Sequence, residues 1–284
     1  MARLLRGAPV AEALTGQLAA RVEGLRHWGA TPTLAIVRVG ARAADLSYER
    51  GATKRCAAAG IAVRGLALPA DCDQGELMAV IERVNADDAI HGCLLLRPLP
   101  DPLDESAACA ALSPAKDVDC ITGESLFGVF ANRPVGFPPC TAEACVQLLD
   151  HYGHELTGAS VVVVGRSLVV GRPVSMMLQA RDATVTMCHA RTRDLAAVCR
   201  SAEIVVVATG HPGTVGIDAV APHQTIVDVG INWDDGLGRL CGDVAFDEVE
   251  PIVGAITPVP GGVGSITTAV LAKHVVEAAE RAIG

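Results

Sequence analysis

The chain of 284 residues carries a net charge of -9 at pH 7 and is half hydrophobic, with only 3% aromatic residues. This balance argues against a nucleic-acid or acidic-membrane surface, because both need clustered lysine and arginine, and few rings are present for stacking on bases. The sequence contains no apolar run of roughly 20 residues, and its N-terminal pattern leads us to expect no signal peptide. We therefore expect a cytoplasmic protein that binds small molecules, without nucleic-acid or membrane partners.

The first half of the chain alternates helical and strand-like patterns, as α/β layers do. The predicted helices are 10–28, 45–60 and 75–86, and the predicted strands are 33–39, 61–68 and 91–96. The segment 101–139 is rich in proline and glycine. We predict that it is irregular and that a domain boundary lies near its end.

A second series of short valine-rich strands and helices begins at Cys140 and indicates a parallel sheet covered on both faces. Its predicted helices are 141–152, with Thr141 as N-cap, 171–180 and 195–201, and its predicted strands are 160–164, 184–188, 204–208 and 225–229. A last helix, 267–283, is predicted to pack on the first domain. The predicted fold is a Rossmann-type parallel-sheet domain, 140–266, with an N-terminal α/β domain, 1–139, that is completed by 267–284.

The ten cysteines lie in apolar contexts, without a C-x-x-C pair or the cysteine–histidine spacing of a zinc site. We interpret them as mostly buried thiols. The sequence therefore predicts no metal site.

A glycine turn from Gly165 to Pro173 opens onto a predicted helix, where the pyrophosphate of a dinucleotide binds backbone N–H groups. The spacing is not G-x-G-x-x-G, so the loop by itself is a weak signal. The next strand ends without the acid that binds the ribose of NAD, whereas Arg166 and Arg191 suit a 2′-phosphate. The residues thus favour NADP, although solvated loop arginines are an alternative.

Five segments in order resemble the bifunctional methylenetetrahydrofolate dehydrogenase/methenyltetrahydrofolate cyclohydrolase family. They are PLP at 98–100, KDVD at 116–119, GRS-x-x-VG-x-P at 165–173, DVGIN at 228–232 and TPVPGGVG at 257–264. The resemblance implies a homodimer of two-domain subunits, with folate in a cleft between the N-terminal domain and the NADP-binding domain. The implied chemistry is oxidation of 5,10-methylenetetrahydrofolate to the 5,10-methenyl compound, followed by hydrolysis to 10-formyltetrahydrofolate.

The resemblance also implies the site residues. Asp119 matches the acid that binds the pterin ring, and Tyr48 lines the same cleft; a turn-capping side chain and a core aromatic are the respective alternatives. The expected cofactor-binding residues are Gly165, Arg166, Ser167, Gly171, Arg191, Thr209 and Ile231. The expected substrate-binding residues are Tyr48, Leu96, Pro98, Asp119, Pro260, Gly261 and Gly262.

The sequence departs from the family in the folate site. The family motif Y-x-x-x-K-x-K corresponds to 48–54, which places Ala52 at the catalytic lysine. Lys54 does not substitute, because a residue two positions further along a helix points to nearly the opposite face. In the strand that precedes Pro98, Leu96 stands where the family has a glutamine that helps to position the lysine and the folate.

The missing lysine changes the expected activity. Hydrolysis needs a group that moves protons near neutral pH, so we expect cyclohydrolase activity to be weak or lost, whereas hydride transfer relies on the nicotinamide. Glu49 and Arg97 are new charges beside Ala52, either a solvated surface pair or, for Glu49, a replacement acid or base. A divergent member acting on another folate or imine substrate and a non-catalytic NADP- or folate-binding protein remain as alternatives.

Overall fold

A computed structural model describes residues 1–236 and 238–283, which form two compact units. The six-stranded unit comprises Met1–Ala11 and Thr141–Thr267. The three-stranded unit comprises Glu12–Cys140 and the C-terminal residues from Thr268. Among the described residues, no helix has the length and apolar character needed to cross a membrane.

The helices and strands follow one another along the chain in an α/β alternation. The helices are α1 (Gly7–His27), α2 (Ala43–Ala59), α3 (Gln74–Ala86), α4 (Glu105–Ala111), α5 (Gly123–Ala131), α6 (Cys140–His151), α7 (Gly171–Gln179), α8 (Leu195–Arg200), α9 (Phe246–Val249) and α10 (Thr267–Ile283). The strands are β1 (Arg3–Leu4), β2 (Thr33–Val39), β3 (Ala62–Leu68), β4 (Gly92–Leu95), β5 (Ser160–Val164), β6 (Thr184–Cys188), β7 (Ile204–Val207), β8 (Thr225–Asp228), β9 (Asn232–Asp234), β10 (Arg239–Cys241) and β11 (Ala255–Ile256).

The sheet of the three-stranded unit has the order β3-β2-β4, and both strand pairs are parallel. Successive residues of a strand point to opposite faces. Val37 and Val39 of β2 therefore share one face, where they pack in an apolar cluster with Leu77 and Ile81 of α3. The central strand β2 is thus buried between layers, and its carboxyl end leads directly into α2.

The main sheet of the six-stranded unit has the order β1-β11-β8-β7-β5-β6, and every pair in it is parallel. The chain leaves β5 for β6 on one side and then continues in β7 on the other side. Ligands of parallel α/β sheets bind at such a reversal, outside the carboxyl ends of the strands. The loops after β5 and β7 therefore flank the expected dinucleotide site. The α/β fold with a Rossmann-like parallel sheet confirms the predicted fold class.

The structure differs from the predicted layout at three places. Residues 1–11 belong to the six-stranded unit, because β1 pairs with β11 through Arg3–Ala255 and Leu4–Ile256. The segment predicted to be irregular, 101–139, contains α4 and α5. Thr141, the predicted N-cap, lies inside α6, because that helix begins at Cys140, whose N–H donates to Asp119 Oδ1 at 3.4 Å.

Candidate active site

Two glycines bring the dinucleotide loop close to the neighbouring strand ends. A Cβ at Gly165 would overlap the carbonyl oxygen of Ala208, and the backbone φ of Gly165 is +132°, a value that residues with a side chain rarely adopt. A Cβ at Gly171 would in turn overlap the Gly165 carbonyl. The loop after β5 therefore lies against the β7 end and Thr209, as a close approach to a pyrophosphate requires.

Ser167 organises the start of α7. Its Oγ accepts hydrogen bonds from the N–H groups of Val170 at 3.1 Å and Gly171 at 3.4 Å, and its carbonyl accepts from Arg172 at 3.0 Å. The Ser167 hydroxyl thus binds two N–H groups at the start of the helix, a place where phosphate groups also bind. Ser167 and Arg166 are exposed at this helix end.

The two arginines expected at the 2′-phosphate follow neighbouring strands. Gly165 N–H donates to the Cys188 carbonyl at 2.9 Å, so Arg166 and the turn that contains Arg191 leave adjacent strand ends. Arg191 is exposed, and its N–H donates to His189 Nδ1 at 3.1 Å. The nearest acid along the chain, Asp194, accepts the Ala197 N–H at 3.1 Å as the N-cap of α8. Cationic side chains therefore dominate this edge.

Two buried carboxylates, which the sequence analysis missed, fix the loops after β7 and β8. Asp228 accepts N–H groups from Gly230 at 3.0 Å, Asp243 at 2.9 Å and Val244 at 3.0 Å. Asp243 accepts the N–H groups of Thr209 at 2.5 Å and of the following glycine at 2.9 Å. Since Thr209 and the 229–232 segment carry expected cofactor residues, these carboxylates position the site.

The crowding around Asp228 has two consequences. A Cβ at Gly242 would overlap the Asp228 carboxylate, and one at Gly230 would overlap that of Asp243, so both positions require glycine. Burial raises the pKa of Asp228 to about 6. The neighbouring Asp243 carboxylate also raises this pKa, whereas the three N–H donors lower it. The loops are thus held by a carboxylate whose ionisation is costly.

Several expected residues of the six-stranded unit line one cavity. A cavity of about 240 Å³ lies between the segments 228–231 and 258–265 and is lined by Ile231, Pro260, Gly261 and Gly262. A neighbouring cavity of about 430 Å³, lined by Asp234, Arg239 and Phe246 among others, contains none of the expected site residues. The structure therefore brings Ile231, an expected cofactor residue, together with Pro260, Gly261 and Gly262, which are expected substrate residues.

The expected folate residues of the three-stranded unit surround the carboxyl edge of its sheet. Leu96 continues β4 by donating its N–H to the Val37 carbonyl at 2.9 Å, and the exposed Pro98 follows. Tyr48 is half-buried on α2, the helix that follows β2. Ala52 is 0% exposed and Leu96 is 7% exposed, so the positions that the sequence analysis matched to the family's lysine and glutamine are both buried and apolar.

Lysine occurs at only three positions of the sequence, and the structure places each of them away from the Ala52 position. Lys54 is exposed on the outer side of α2. Lys116 Nζ donates to three carbonyls at the end of α3, those of Val84 at 2.7 Å, Asn85 at 2.9 Å and Asp87 at 2.8 Å. Lys273 pairs with Glu277 on α10 at 2.9 Å. No described lysine therefore takes the place expected for the catalytic lysine.

Glu49 and Arg97 do not form the pair that the sequence suggested. Glu49 Oε2 accepts a hydrogen bond from Arg38 Nε at 2.9 Å. Arg97 Nη1 instead donates to Glu105 at 3.3 Å. The one signal for the Arg38 contact is that a charged residue interrupts the apolar run of β2, and this pattern alone does not reveal its partner.

The acids of the KDVD segment have different roles. Asp117 is fully buried and accepts from the Ile121 N–H at 2.9 Å and from the Thr122 N–H at 2.8 Å and hydroxyl at 2.7 Å. The half-buried Asp119 has, among the described residues, Cys140 as its hydrogen-bond donor. Asp117 is thus fully occupied as a turn residue, whereas Asp119 keeps acceptor capacity for a ligand.

A buried histidine, also missed, supports the Asp119 segment. His274 of α10 is 0% exposed, and its Nδ1 lies 2.8 Å from the Val118 carbonyl and 3.7 Å from Cys140 Sγ. Burial raises the pKa of Asp119, while hydrogen bonds from Cys140 lower it. His274 and Cys140 therefore hold the Val118 carbonyl directly before the expected pterin-binding acid, and Cys140 also donates to the acid itself.

Family models cover nearly the whole chain. The catalytic domain of tetrahydrofolate dehydrogenase/cyclohydrolase matches residues 5–119, and the NAD(P)-binding domain of the same family matches residues 139–283. The chain belongs to the tetrahydrofolate dehydrogenase/cyclohydrolase family. The family predicted from the five sequence segments is thereby confirmed.

Individual relatives agree along their full lengths. The bifunctional protein FolD of Carboxydothermus hydrogenoformans is 49% identical over 99% of this chain and 98% of its own. The FolD protein of Clostridioides difficile is 46% identical over 97% and 96%. The structure is similar to that of the Campylobacter jejuni FolD dehydrogenase/cyclohydrolase, with 34% identity, a TM-score of 0.94 and 99% of both chains covered.

A further solved structure bears on the cofactor. The Trypanosoma brucei FolD dehydrogenase-cyclohydrolase, complexed with NADP cofactor and inhibitor, has 35% identity and a TM-score of 0.91, with 99% of this chain and 98% of that chain covered. These similarities establish the family and its NAD(P)-binding domain.

Proposed function

We propose that this family member oxidises 5,10-methylenetetrahydrofolate to 5,10-methenyltetrahydrofolate with NADP and has weak or no cyclohydrolase activity. The proposal rests on two apolar residues, Ala52 and Leu96, which stand at the positions expected for a lysine and a glutamine. Their exposed fractions are 0% and 7%, and the three lysines of the chain lie at other positions. Relatives that are named bifunctional support the dehydrogenase reaction. The loss of the second reaction is inferred from this chain's own residues.

The dehydrogenase reaction does not need the missing amine. The bridge carbon gives a hydride to NADP⁺, which forms NADPH and leaves the positive charge spread over the methenyl bridge, so no proton is transferred in this step. The protein has to bind and orient both ligands. The Gly165 loop, Thr209 and Ile231 would hold the cofactor, and Tyr48 and Asp119 would hold the pterin.

Hydrolysis makes a different demand. Water must lose a proton as it adds to the methenyl carbon, and a side chain that accepts protons near neutral pH assists this step. Neither Ala52 nor Leu96 has a titratable group. Glu49 has a carboxylate, but its Oε2 is bound to Arg38, whose guanidinium keeps its protons.

NADP is the proposed cofactor because the basic edge after β5 and β6 suits a 2′-phosphate. Arg166 and Arg191 leave adjacent strand ends, and the nearby Asp194 caps a helix instead of facing a ribose. Arginine binds phosphate through paired, charge-assisted hydrogen bonds. The NADP complex of the Trypanosoma brucei relative supports this choice.

A homodimer is proposed on the family resemblance. The antiparallel pair β9–β10 presents two exposed apolar side chains, Trp233 and Leu240. Light scattering on the purified protein is expected to give twice the 29.2 kDa of the chain. A mass of one chain at micromolar concentration would reject the dimer.

One specific observation favours a second candidate, a member that acts on another folate or imine substrate. Asp45, buried and paired with Arg42 at 2.7 Å, and the Arg38–Glu49 pair add charges to the helix that carries the folate residues. A pocket altered in this way suits a ligand with different polar groups. NADP binding without turnover of methylenetetrahydrofolate would favour this candidate over the first.

The test combines turnover with binding. Purified protein is assayed spectrophotometrically with 5,10-methylenetetrahydrofolate and NADP, beside titrations of each ligand. The proposal predicts NADPH formation and accumulation of the methenyl product. Binding of both ligands without chemistry would leave the non-catalytic alternative. In Ala52→Lys/Leu96→Gln, which restores both polar groups, we expect faster hydrolysis of the methenyl compound than in the parent.

A further inference from the structure

Arg38 carries a charge to an otherwise apolar face of β2. It follows Leu34 and Ile36 at intervals of two residues, and both are fully buried, so the three side chains leave the strand on the same face. Its Nε donates to Glu49 Oε2 of α2 at 2.9 Å, and its Nη1 donates to the Gly40 carbonyl. The Arg38–Glu49 pair therefore connects the end of β2 to α2.

The pair lies at the edge of the sheet where ligands bind. Parallel strands end at the same edge, and in α/β sheets ligands bind outside the carboxyl ends of the strands. Arg38 is the last residue but one of β2, and Leu96 and Pro98 follow the end of the adjacent β4. Glu49 lies three residues before Ala52, hence on the same side of α2. The charges thus adjoin the apolar position that replaces the lysine.

Arg38 retains donors for a ligand. A guanidinium has five N–H donors. Within 1–236 and 238–283 the Nη2 group of Arg38 has no hydrogen-bond partner, and 15% of the side chain remains accessible. The Glu49 side chain is 24% accessible, and its Oε1 extends over β3, where a Cβ at Gly65 would be 3.5 Å away. Glu49 thus fixes one edge of the guanidinium and leaves another open.

Stability alone is a weak reason for such a pair. Removing two charges from water costs free energy that their attraction only partly returns, so apolar side chains of similar volume are often as stabilising. Leu34 and Ile36 show that this face accepts apolar residues. A charge kept at a ligand-binding edge is better explained by a ligand.

We propose that Arg38 binds the pterin half of the folate, with its guanidinium donating hydrogen bonds to an acceptor oxygen of the ring and Glu49 orienting it. This inference rests on the proposed function. Arginine keeps its protons, so Arg38 binds and orients the ligand without replacing the lysine as a proton carrier. The sequence patterns did not identify this residue.

The test compares tetrahydrofolate binding by the parent protein, Arg38→Met and the matched control Arg64→Met. Arg64 lies on β3 of the same sheet and pairs with Asp87 at 2.6 Å. We expect Arg38→Met to raise the Kd for tetrahydrofolate at least about tenfold, as loss of a charged hydrogen bond does. Arg64→Met should leave it unchanged, and both variants should bind NADP as the parent does.

Two further arms keep the outcome decisive. Tetrahydropteroate lacks the glutamate of folate, so equal weakening for both ligands supports a pterin contact, whereas weakening for tetrahydrofolate alone overturns it. Arg38→Lys keeps the charge opposite Glu49 and serves if Arg38→Met unfolds; its Kd is expected to rise, and parent-like affinity overturns the proposal. If the parent itself neither binds nor oxidises the folate, the proposed function fails instead.

Discussion

The carboxyl edges of the two sheets hold charge in different ways. In the six-stranded unit, Asp228 and Asp243 are buried and bind backbone N–H groups, so their carboxyl groups fix the loops that carry the expected cofactor residues. In the three-stranded unit, the expected lysine and glutamine positions are apolar, and the half-buried Arg38–Glu49 pair carries charge. Under the proposed function, the six-stranded unit supplies the groups that hydride transfer needs, whereas the Ala52 and Leu96 positions supply no proton carrier for hydrolysis.

Replacing Asp119, whose carboxylate keeps acceptor capacity for a ligand, should have the largest effect on folate binding. Asp119→Ala is expected to weaken folate binding by about 100-fold or more, because paired donors of the pterin would lose a charged acceptor. NADP affinity should stay unchanged, since Asp119 belongs to the other unit. Calorimetric titration with each ligand measures both values, and unchanged folate affinity would remove Asp119 from the site.

The loop-fixing role of Asp228 predicts a pH dependence. Its folded-state pKa of about 6 lies above the usual value, so its stabilising contribution is present at low pH and is lost as pH rises through about 6. Relative to Asp228→Asn, the parent should therefore lose on the order of 2 kcal/mol of unfolding free energy between pH 4 and pH 7. Urea unfolding of both proteins at several pH values measures the difference. A constant difference would mean that Asp228 does not titrate there.

Replacing Lys116 tests whether this lysine only stabilises the fold or also takes part in the reaction. Lys116→Met removes three hydrogen bonds to the carbonyls at the end of α3 and is expected to cost about 1–2 kcal/mol of stability. Folate affinity and turnover should match the parent. Denaturant unfolding beside the dehydrogenase assay tests this, and loss of turnover by a stably folded variant would give Lys116 a role in the reaction.

The smallest effect is expected at the exposed phosphate edge. Arg191→Ala should reduce the preference for NADP over NAD by about fivefold, near 1 kcal/mol, because exposed charge pairs contribute little. Kd values for the two cofactors give the ratio directly. An unchanged ratio would assign the 2′-phosphate to other residues.

Long, regular patterns could be predicted from the sequence. Strand β2 and helix α10 have the predicted bounds, because a continuous apolar run and a long helical period are strong signals. The two-residue β1 was missed because so short a segment has no period. It is a strand only through its pairing with β11.

At the site, contacts between segments distant in the sequence could not be predicted. The motifs identified Asp119 and the glycine loop as candidates, but Asp228 and Asp243 act through residues far along the chain, and sequence spacing does not reveal such pairing. The same holds for Arg38 and Glu49, which are 11 residues apart on a strand and a helix. The Glu49–Arg97 surface pair, one of the two alternatives for these charges, was wrong for this reason.

The most direct test of the account is the rate at which the purified protein hydrolyses 5,10-methenyltetrahydrofolate, with binding of that ligand verified in the same sample. With Ala52 and Leu96 in the site, the rate should equal or only slightly exceed that of buffer alone, while oxidation of methylenetetrahydrofolate proceeds. Hydrolysis well above the uncatalysed rate would contradict the account, because it would require a proton carrier that the site lacks.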